Sequence, residues 1–287
     1  MEEKQQVDNN EKRPDQEMTF WEHLEELRWH ILRSLAAVIV LGIVAFLSKD
    51  FLFNLIILAP KSSDFVTNRA LCDLSKWISS FWPAVSPDAL CIENFNLKLI
   101  NIKMAGQFLI HLYISIFAGI VVAIPYIIWE IWRFIKPALY FREQKYTRGA
   151  VFWSSFLFLV GIMFSYFLIV PLAVMFLGSY NVSQSVENQI ALSSYISTVV
   201  TLTFAVGLVF ELPIFAFFLT KVGIITPMFM RKSRKAMVVV VLILSAIITP
   251  ADVFSQILVA LPLFGLYEIS ILLSDRIYKK RAEELAG

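Results

Sequence analysis

Carboxylate side chains are the groups of this sequence best placed to bind a charged ligand. Three of them, Glu22, Glu25 and Glu26, lie in the stretch FWEHLEELRW at residues 20–29, directly before the first long apolar run. The cytoplasmic flank of a membrane span usually favours Lys and Arg, so an acidic cluster there needs an explanation. A carboxylate accepts two parallel hydrogen bonds from a guanidinium group, and lysine cannot present that planar pair of donors. The local sequence leaves open whether the cluster binds a cationic group or only stabilises the helix that carries it.

Two of the three glutamates also have ordinary structural explanations. Thr19 followed by Glu22 fits a capping box at the start of a helix, and Glu25 is expected to be solvated. One helical face is apolar, as expected for an amphipathic helix that continues into the first span: Phe20, Leu24, Leu27 and Ile31. We favour the structural explanation for Glu22 and Glu25, which leaves Glu26 as the candidate binding residue.

Glu211 is an ionisable residue well inside the predicted fourth span, and Pro213 follows it two residues later. Placing such a group near the membrane centre costs about 3 kcal/mol on insertion scales, so a functional role is the default. The alternative is a protonated, hydrogen-bonded glutamate that holds helices together. Gln107 and His111 of the second span are candidate polar neighbours of Glu211.

The apolar blocks that carry these residues predict an all-α polytopic membrane protein. The 287 residues are 58% hydrophobic and 17% charged, whereas a soluble domain averages about 25% charged residues. The blocks are about 20 residues long, enough to cross a bilayer, and they do not alternate over ~10 residues as barrel strands do. The net charge of +2 is too small to suggest nucleic-acid binding.

Six transmembrane helices are predicted within one membrane domain at residues 18–275. They cover residues 30–47, 104–128, 149–177, 195–219, 236–248 and 253–273. We expect the fifth and sixth spans to be short, since only about 24 Å of helix separates Lys235 from Asp252 and the hydrocarbon core is about 30 Å thick. The remaining segments are predicted as a disordered cytoplasmic tail at 1–17, a long extracytoplasmic loop at 48–103 and a cytoplasmic tail at 276–287.

Basic residues of the short loops predict that both termini are cytoplasmic. The loops at residues 129–148 and 221–235 are rich in Lys and Arg, whereas residues 178–194 and the turn TPAD at 249–252 contain neither. No secretory signal or transit peptide precedes the first span. We therefore expect a multi-pass protein of the bacterial inner membrane, in contact with lipid.

The stretch PYIIWEIWRFIKPALYFREQK at residues 125–145 is predicted to form a rigid cytoplasmic loop. Its prolines, Pro125 and Pro137, fix φ and disfavour a continuous helix before them. Glu143 lies in this loop with basic neighbours on both sides. One interpretation of Glu143 is a surface ion pair, which contributes under about 1 kcal/mol.

Four motifs are spread along the chain in this order: HLEELR at 23–28, WRFIKPALYFRE at 132–143, FELP at 210–213 and TPADVFSQ at 249–256. Together they closely resemble the TatC family, the multispanning core of the twin-arginine protein translocase. The resemblance covers about residues 18–280. The six-span topology with both ends inside, predicted from the spans and the basic loops, agrees with the family.

The resemblance implies a receptor for signal peptides that carry two consecutive arginines. Such a receptor works with small single-span partners of the TatA and TatB type, moves folded proteins across the membrane and is driven by the proton-motive force. Self-association is also expected. In the family pattern, Glu26 and Glu143 match the acidic residues of the twin-arginine site, and we group Phe134 and Arg28 with them.

The family resemblance also implies a role for six matching positions: Pro60, Phe134, Pro137, Tyr166, Glu211 and Asp252. Glu211, with Tyr166 and Gln107 as further polar residues, is implied to belong to a concave face that contacts the partner subunits. Phe134 packs the apolar part of the signal motif or is structural, and both interpretations are left open. The two prolines are expected to be structural, and Asp252 is expected to cap the start of the sixth span.

The chain departs from the family pattern in two places. Arg28 is followed by Trp and His where further basic residues are common, so the groups that complete the site beside Glu26 are left open. The first extracytoplasmic loop has an extra stretch around residues 61–95, whose role is unassigned. Cys72 and Cys91 lie inside it. An oxidising compartment would preserve a disulfide between them, and the sequence leaves that bond open.

A small-solute or ion transporter is the alternative function, because it would explain Glu211 and His111 as a pathway through the membrane. It does not explain Glu143 or the acidic helix before the first span. An intramembrane enzyme is disfavoured, since no predicted span contains an Asp and the three histidines show no metal spacing such as H-E-x-x-H. We predict no enzyme activity, no cofactor and no metal.

Overall fold

The structure is a computed structural model that describes residues 20–62, 64–81, 98–135, 147–180, 183, 189–249 and 253–286. Helices dominate it. The α-helices are α1 (Phe20–Leu47), α2 (Val66–Phe81), α3 (Gly106–Ile135), α4 (Thr147–Phe164), α5 (Val170–Ser179), α6 (Leu192–Val209), α7 (Leu212–Val222), α8 (Pro227–Lys232), α9 (Arg234–Ile248) and α10 (Val253–Ala286).

Shorter elements join these helices. A π-helical segment at Phe51–Ile57 and a 3₁₀ turn at Ala59–Lys61 follow α1, and a second π-helical segment at Ser165–Ile169 joins α4 to α5. The prediction of an all-α chain misses two short strands, β1 (Leu99–Ile100) and β2 (Ile190–Ala191), which pair in parallel. This pairing places the starts of α3 and α6 at the same end of the molecule, which the sequence predicts to be extracytoplasmic.

Five helical stretches in the described ranges are long and apolar enough to cross a membrane, by length and composition. They are His23–Leu47, Gly106–Ile135, Gly149–Ser179, Leu192–Lys221 and Gln256–Lys279. The predicted fifth span corresponds to α9, which has only 15 residues. In the most hydropathic part of the first stretch only 11% of residues are buried, so its apolar side chains face outward, as expected for a helix surrounded by lipid.

The first and third α-helices run antiparallel and pack closely. A Cβ atom at Gly119 would come within 2.8 Å of the Gly42 Cα atom, so the backbones of α1 and α3 touch where glycine leaves room. Membrane helices commonly associate through such small residues, because lipid offers no hydrophobic force between helices. The start of α1 and the end of α3 therefore meet at the predicted cytoplasmic end.

The apolar core lies between α3, α5, α6, α9 and α10. Its large, almost fully buried side chains include Ile114, Ile169, Ile196, Leu202, Val206 and Leu263. A smaller cluster joins α7, α8 and α10 and consists of Ala216, Met230, Tyr267 and Ile271. The Tyr267 hydroxyl donates to the Met230 carbonyl at 2.7 Å, so the buried tyrosine is hydrogen-bonded.

The predicted loop at residues 125–145 is wrong in its first part, because α3 continues through Pro125 to Ile135. Proline removes one backbone hydrogen bond, but a helix tolerates this loss when packing holds the turns on both sides. Here α3 packs along α1 on both sides of Pro125, at Gly119 and at Glu130.

The helix that carries the predicted sixth span is longer than the span itself. Helix α10 has 34 residues and extends through most of the predicted C-terminal tail, while the candidate span Gln256–Lys279 has 24. The helix passes the end of its apolar run because neighbouring helices bind its polar residues. Ser274 is fully buried, and its hydroxyl lies 2.7 Å from the Thr220 hydroxyl of α7. Arg231 of α8 pairs with Asp275.

The predicted loop at 48–103 contains regular structure, notably the amphipathic helix α2. This helix begins within the extra stretch around residues 61–95 and is tied to the rest of the chain. Asn68 donates to the carbonyls of Pro60 at 3.0 Å and Ser62 at 2.7 Å. The predicted tail at residues 1–17 lies outside the described residues.

Candidate functional site

A buried polar network joins α1 to α3 at the predicted cytoplasmic end. His30 of α1 is 5% exposed, and its Nδ1 atom hydrogen-bonds to the Oε2 atom of Glu130 of α3, which is 1% exposed. The Tyr126 hydroxyl, one turn earlier on α3, donates to Glu130 Oε1 at 2.9 Å. A buried carboxylate is costly unless it is paired and hydrogen-bonded, and this one is both.

Glu26 lies one turn before His30 on α1, at the edge of this network. Its Oε1 atom is 3.9 Å from His30 Nε2, and its side chain is 35% exposed. His30 thus contacts Glu130 through one ring nitrogen and faces Glu26 with the other. Glu26 is held near the network on one side and is open on the other, which leaves a carboxylate available to an incoming cation.

Phe134 packs against His23 and His30, which precede and follow Glu26 on α1. The His23 ring stacks on the Phe134 ring with 4.4 Å between centroids, and the His30 ring meets it edge-on at 5.9 Å. Phe134 is partly buried by these contacts. The structure therefore gives Phe134 a packing role against His23 and His30, and its contact with a signal peptide stays a prediction.

Arg133 is the nearest cation on α3. It lies over the Trp129 ring at 5.5 Å, and its guanidinium is 3.9 Å from Glu130 Oε1 with about half of the side chain exposed. Arg28 and Glu25 are exposed on α1. Arg28 follows Glu26 by two residues on α1, so the two side chains point to different sides of the helix. His30 and Glu130 form the buried base of the site.

Several predicted site residues lie outside the described residues: Glu143, Pro137, Asp252 and Cys91. The side chain of Glu22 is also outside them. Their predicted roles therefore stay predictions. In the described part of the chain, no group of three or more His, Cys, Asp or Glu side chains could hold a metal ion.

Glu211 lies in a helix break inside the candidate span Leu192–Lys221, which matches the predicted fourth span. Helix α6 ends at Val209, and α7 begins at Leu212, because Pro213 has no N–H to donate to the Val209 carbonyl. Glu211 is 7% exposed, and the Ser154 hydroxyl of α4 donates to its Oε2 atom. Its Oε1 atom has no hydrogen-bond partner among the described residues.

Gln107 and His111 are not neighbours of Glu211. They line a cavity of about 370 Å³ together with Lys49, Asp50 and Asn54. Gln107 stands one residue after the start of α3, and Glu211 stands 19 residues after the start of α6, which is about 28 Å of helix from the same end. The pathway through His111 and Glu211 that the alternative transporter function requires is therefore not supported.

Tyr166, Pro60 and Cys72 lie at the predicted extracytoplasmic end. The Tyr166 hydroxyl donates to the Ile56 carbonyl at 2.7 Å, which the π-helical segment leaves free. Pro60 is buried in the 3₁₀ turn. Cys72 is buried in α2 and disulfide-bonded. These contacts use the side chains to hold the extracytoplasmic segments together, so the structure gives Tyr166 a tethering role.

A family model described as "Sec-independent protein translocase protein (TatC)" matches residues 22–262. The chain belongs to the TatC family. A TatC from Blattabacterium sp. subsp. Periplaneta americana is 38% identical over 265 residues, covering 92% of this chain and 98% of the relative. The TatCy protein of Bacillus subtilis is 32% identical over 271 residues, covering 94% of each chain.

A solved structure supports the same assignment. A crystal structure titled "Twin Arginine Translocase Receptor- TatC" is 32% identical, with a TM-score of 0.67 and coverage of 89% of this chain and 99% of that one. The resemblance found in the four motifs is thus confirmed. The bacterial TatC relatives and the five candidate spans agree with a multi-pass protein of the bacterial inner membrane.

Sequence reasoning missed the buried members of the site in this TatC-family chain, above all Glu130. The signal was available: Glu130 is an isolated acid in an apolar and aromatic run, four residues after Tyr126 and three before Arg133. Such spacing places all three on one helical face. Its partner His30 lies 100 residues away, and no local pattern predicts that contact.

Proposed function

We propose that this TatC-family chain is the signal-peptide receptor and core subunit of a twin-arginine translocase. In this role it binds paired arginines at the cytoplasmic face and moves folded proteins, driven by the proton-motive force. One observation carries the proposal: Glu26 is a partly exposed carboxylate held beside the buried His30–Glu130 pair. This group of side chains suits the binding of a cation and not a covalent reaction. We therefore infer a receptor and not an enzyme.

The second carboxylate of the proposed site is Glu143. It follows the end of α3 at Ile135 by eight residues and precedes the start of α4 at Thr147 by four. In the sequence Glu143 therefore stands between the helix that carries Glu130 and the next helix of the bundle. Two carboxylates on separate segments suit two adjacent guanidinium groups.

The proposed topology has six spans with both termini in the cytoplasm. Helix α9 is the sixth candidate, with 15 residues and about 22 Å of length. A span this short needs local thinning of the bilayer or shielding of its ends. The ion pair between Arg234 and Glu268 at 2.7 Å binds one end of α9 to α10. This contact supports shielding of the helix end by a neighbouring helix.

The proposed partners are single-span subunits of the TatA and TatB type, together with further copies of this chain. Glu211 is the proposed point of an intramembrane contact with such a span, as the family resemblance implies. Its Oε1 atom is buried and has no hydrogen-bond partner in the described part of the chain. A small-solute transporter is not favoured, since Gln107 and Glu211 lie far apart along the bundle.

Binding of a twin-arginine signal peptide to the purified chain in detergent or nanodiscs tests the proposal. We expect the twin-lysine version of the same peptide to bind at least about tenfold more weakly, because lysine lacks the planar pair of donors. The same peptide with both residues changed to glutamine reports the contribution of its apolar segment. Equal affinity for the twin-arginine and twin-lysine peptides would reject arginine recognition.

A further inference from the structure

The amphipathic helix α2 has three distinct sides. The side toward the chain contains the buried residues Asn68, Cys72 and Ser75. A second side is apolar and between 45% and 74% exposed, and it consists of Val66, Leu74, Trp77 and Phe81. An exposed polar edge separates them and contains Arg69, Asp73 and Lys76. A soluble helix does not usually expose such a continuous apolar stripe.

Helix α2 is attached to the junction between α4 and α5. The ring of Phe65, which directly precedes α2, stacks on Phe167 with centroids 5.6 Å apart and meets Tyr166 edge-on at 5.5 Å. The Thr67 hydroxyl donates to the Phe167 carbonyl. These contacts fix the position of α2 on the π-helical segment Ser165–Ile169.

This attachment point continues the lipid-facing side of α4. The exposed apolar residues of that side include Phe152, Phe156, Leu159, Val160 and Met163. Phe167 follows Met163 by one turn, and Phe65 covers it. Helix α2 therefore lies where the outward-facing surface of the span ends, with its apolar stripe turned away from the bundle.

The level of the attachment point is set by its neighbours and not by the length of the span. The candidate span Gly149–Ser179 has 31 residues, about 46 Å of helix, and so exceeds the hydrocarbon core of about 30 Å. The level of the attachment point follows from two hydrogen bonds: Tyr166 donates to the Ile56 carbonyl, and Tyr195, near the start of α6, donates to the Ile57 carbonyl. A helix bound at Phe167 is thus level with the segment that follows the end of α1 and with the start of α6, at the predicted extracytoplasmic edge of the bundle.

We propose that α2 is an interfacial helix whose Val66, Leu74, Trp77 and Phe81 side chains enter the lipid of the leaflet at the predicted extracytoplasmic end. Apolar faces of such helices lie about 5–10 Å into the boundary between headgroups and acyl chains. Tryptophan favours this level, and the edge with Arg69, Asp73 and Lys76 faces headgroups and water. The proposal is independent of signal-peptide binding.

Quenching of a fluorophore on α2 tests this placement. The variants Leu74→Cys, Trp77→Cys and Phe81→Cys in the full chain carry an NBD label, attached without reductant so that Cys72 stays bonded. Each is placed in nanodiscs that hold one copy of the chain in phosphatidylethanolamine and phosphatidylglycerol, with both faces open to solution. One set contains phospholipid with a doxyl group near the headgroup end of its acyl chain, and the other receives aqueous iodide.

We expect the ratio of doxyl to iodide quenching to exceed one at the three apolar positions. The matched controls are Arg69→Cys, Asp73→Cys and Lys76→Cys on the polar edge of the same helix, where the ratio should fall below one. Stronger iodide quenching at both Trp77→Cys and Phe81→Cys would overturn the proposal, and so would protection from both quenchers. If the labels on the apolar side of α2 were protected from iodide only in nanodiscs that hold two copies of the chain, that side would contact a second copy and not lipid.

Discussion

His30 of α1 and Glu130 of α3 are 100 residues apart in the sequence, yet their side chains are hydrogen-bonded and almost fully buried. This contact sets the register of two antiparallel helices at the end where Glu26 lies. It also orients the imidazole, because Nδ1 faces Glu130 and Nε2 faces Glu26. The buried pair therefore supports the more exposed carboxylate that we propose as a binding group.

The first prediction concerns the strength of that pair. Glu130→Ala and His30→Ala should each lower the free energy of unfolding by about 3–5 kcal/mol, because each leaves a buried polar group without its partner. The double variant should lose less than the sum of the two, with a coupling of about 0.5–3 kcal/mol. Unfolding of the purified chain in detergent, followed by circular dichroism, measures all three losses.

Glu25→Ala is the matched control for this cycle, since Glu25 is an exposed carboxylate on the same helix. A surface change of this kind should alter the free energy of unfolding by no more than about 0.5 kcal/mol. If the losses for His30→Ala and Glu130→Ala were strictly additive, the contact would have no energetic role.

Five of the six predicted spans match candidate spans of the described residues, because a bilayer demands long apolar segments with internally paired backbones. The predicted third span, for example, begins at the same residue as the candidate span Gly149–Ser179 and ends two residues before it. The position of Glu26 was also predictable, since it depends on a local motif and a helix start. Both predictions rest on properties of single segments.

Features that depend on contacts between segments were not predictable. Continuation of α3 through Pro125 depends on packing against α1, and the length of α10 depends on partners such as Arg231 for Asp275. The break at Glu211 is an intermediate case. Pro213 predicts the break from the local sequence, but the hydrogen bond from Ser154 of α4 to Glu211 is a tertiary contact that the local sequence does not predict.

A second prediction concerns Glu211. Glu211→Ala should leave membrane insertion and signal-peptide binding largely intact, because the proposed arginine site lies on other helices. It should weaken crosslinks to a TatA- or TatB-like span, since the atom Oε1 is then missing. Ser154→Ala is the control that removes the internal hydrogen bond and keeps the carboxylate. Survival of both crosslinks and export in Glu211→Ala would mean that Glu211 is structural or idle.

Topology gives a third prediction. Single cysteines are introduced as Lys232→Cys and Lys279→Cys, two exposed positions, in a background without Cys72 and Cys91. Both should resist an impermeant thiol reagent in intact cells and react after the membrane is opened. Lys76→Cys on α2 should react in intact cells and serves as the external control. Labelling of Lys279→Cys from outside would contradict a cytoplasmic C-terminus.

The disulfide at Cys72 gives a fourth prediction. The chain has one other cysteine, Cys91, so a bond within the chain closes a loop of about 20 residues and should stabilise the fold by about 3 kcal/mol. Protein purified from its native membrane without reductant should show no free thiol by mass spectrometry with an alkylating agent. Reduction should then lower the thermal midpoint. Two free thiols in the unreduced protein would reject the bond.

The last prediction is that Glu26 and Glu143 together bind the two arginines of a signal peptide. A hydrogen bond to a charged partner contributes about 1.5–3 kcal/mol, so losing one should weaken binding by about tenfold to a hundredfold. Glu26→Gln and Glu143→Gln are suitable changes because glutamine keeps the shape of the side chain and removes its charge. Affinity for a twin-arginine peptide is measured at fixed salt for each variant.

Glu22→Gln and Glu25→Gln are the matched controls on α1 and should change the affinity little, because Glu22 is expected to cap the helix and Glu25 is exposed. The test is whether substitution of Glu26 or Glu143 weakens binding more than substitution of Glu22 or Glu25. Equal weakening by all four substitutions would mean that a diffuse acidic field attracts the peptide, and raised salt should then abolish binding to the unmodified chain. If Glu143→Gln bound the peptide as tightly as the unmodified chain, a two-carboxylate site would be wrong, and Glu26 beside the His30–Glu130 pair would have to act without it.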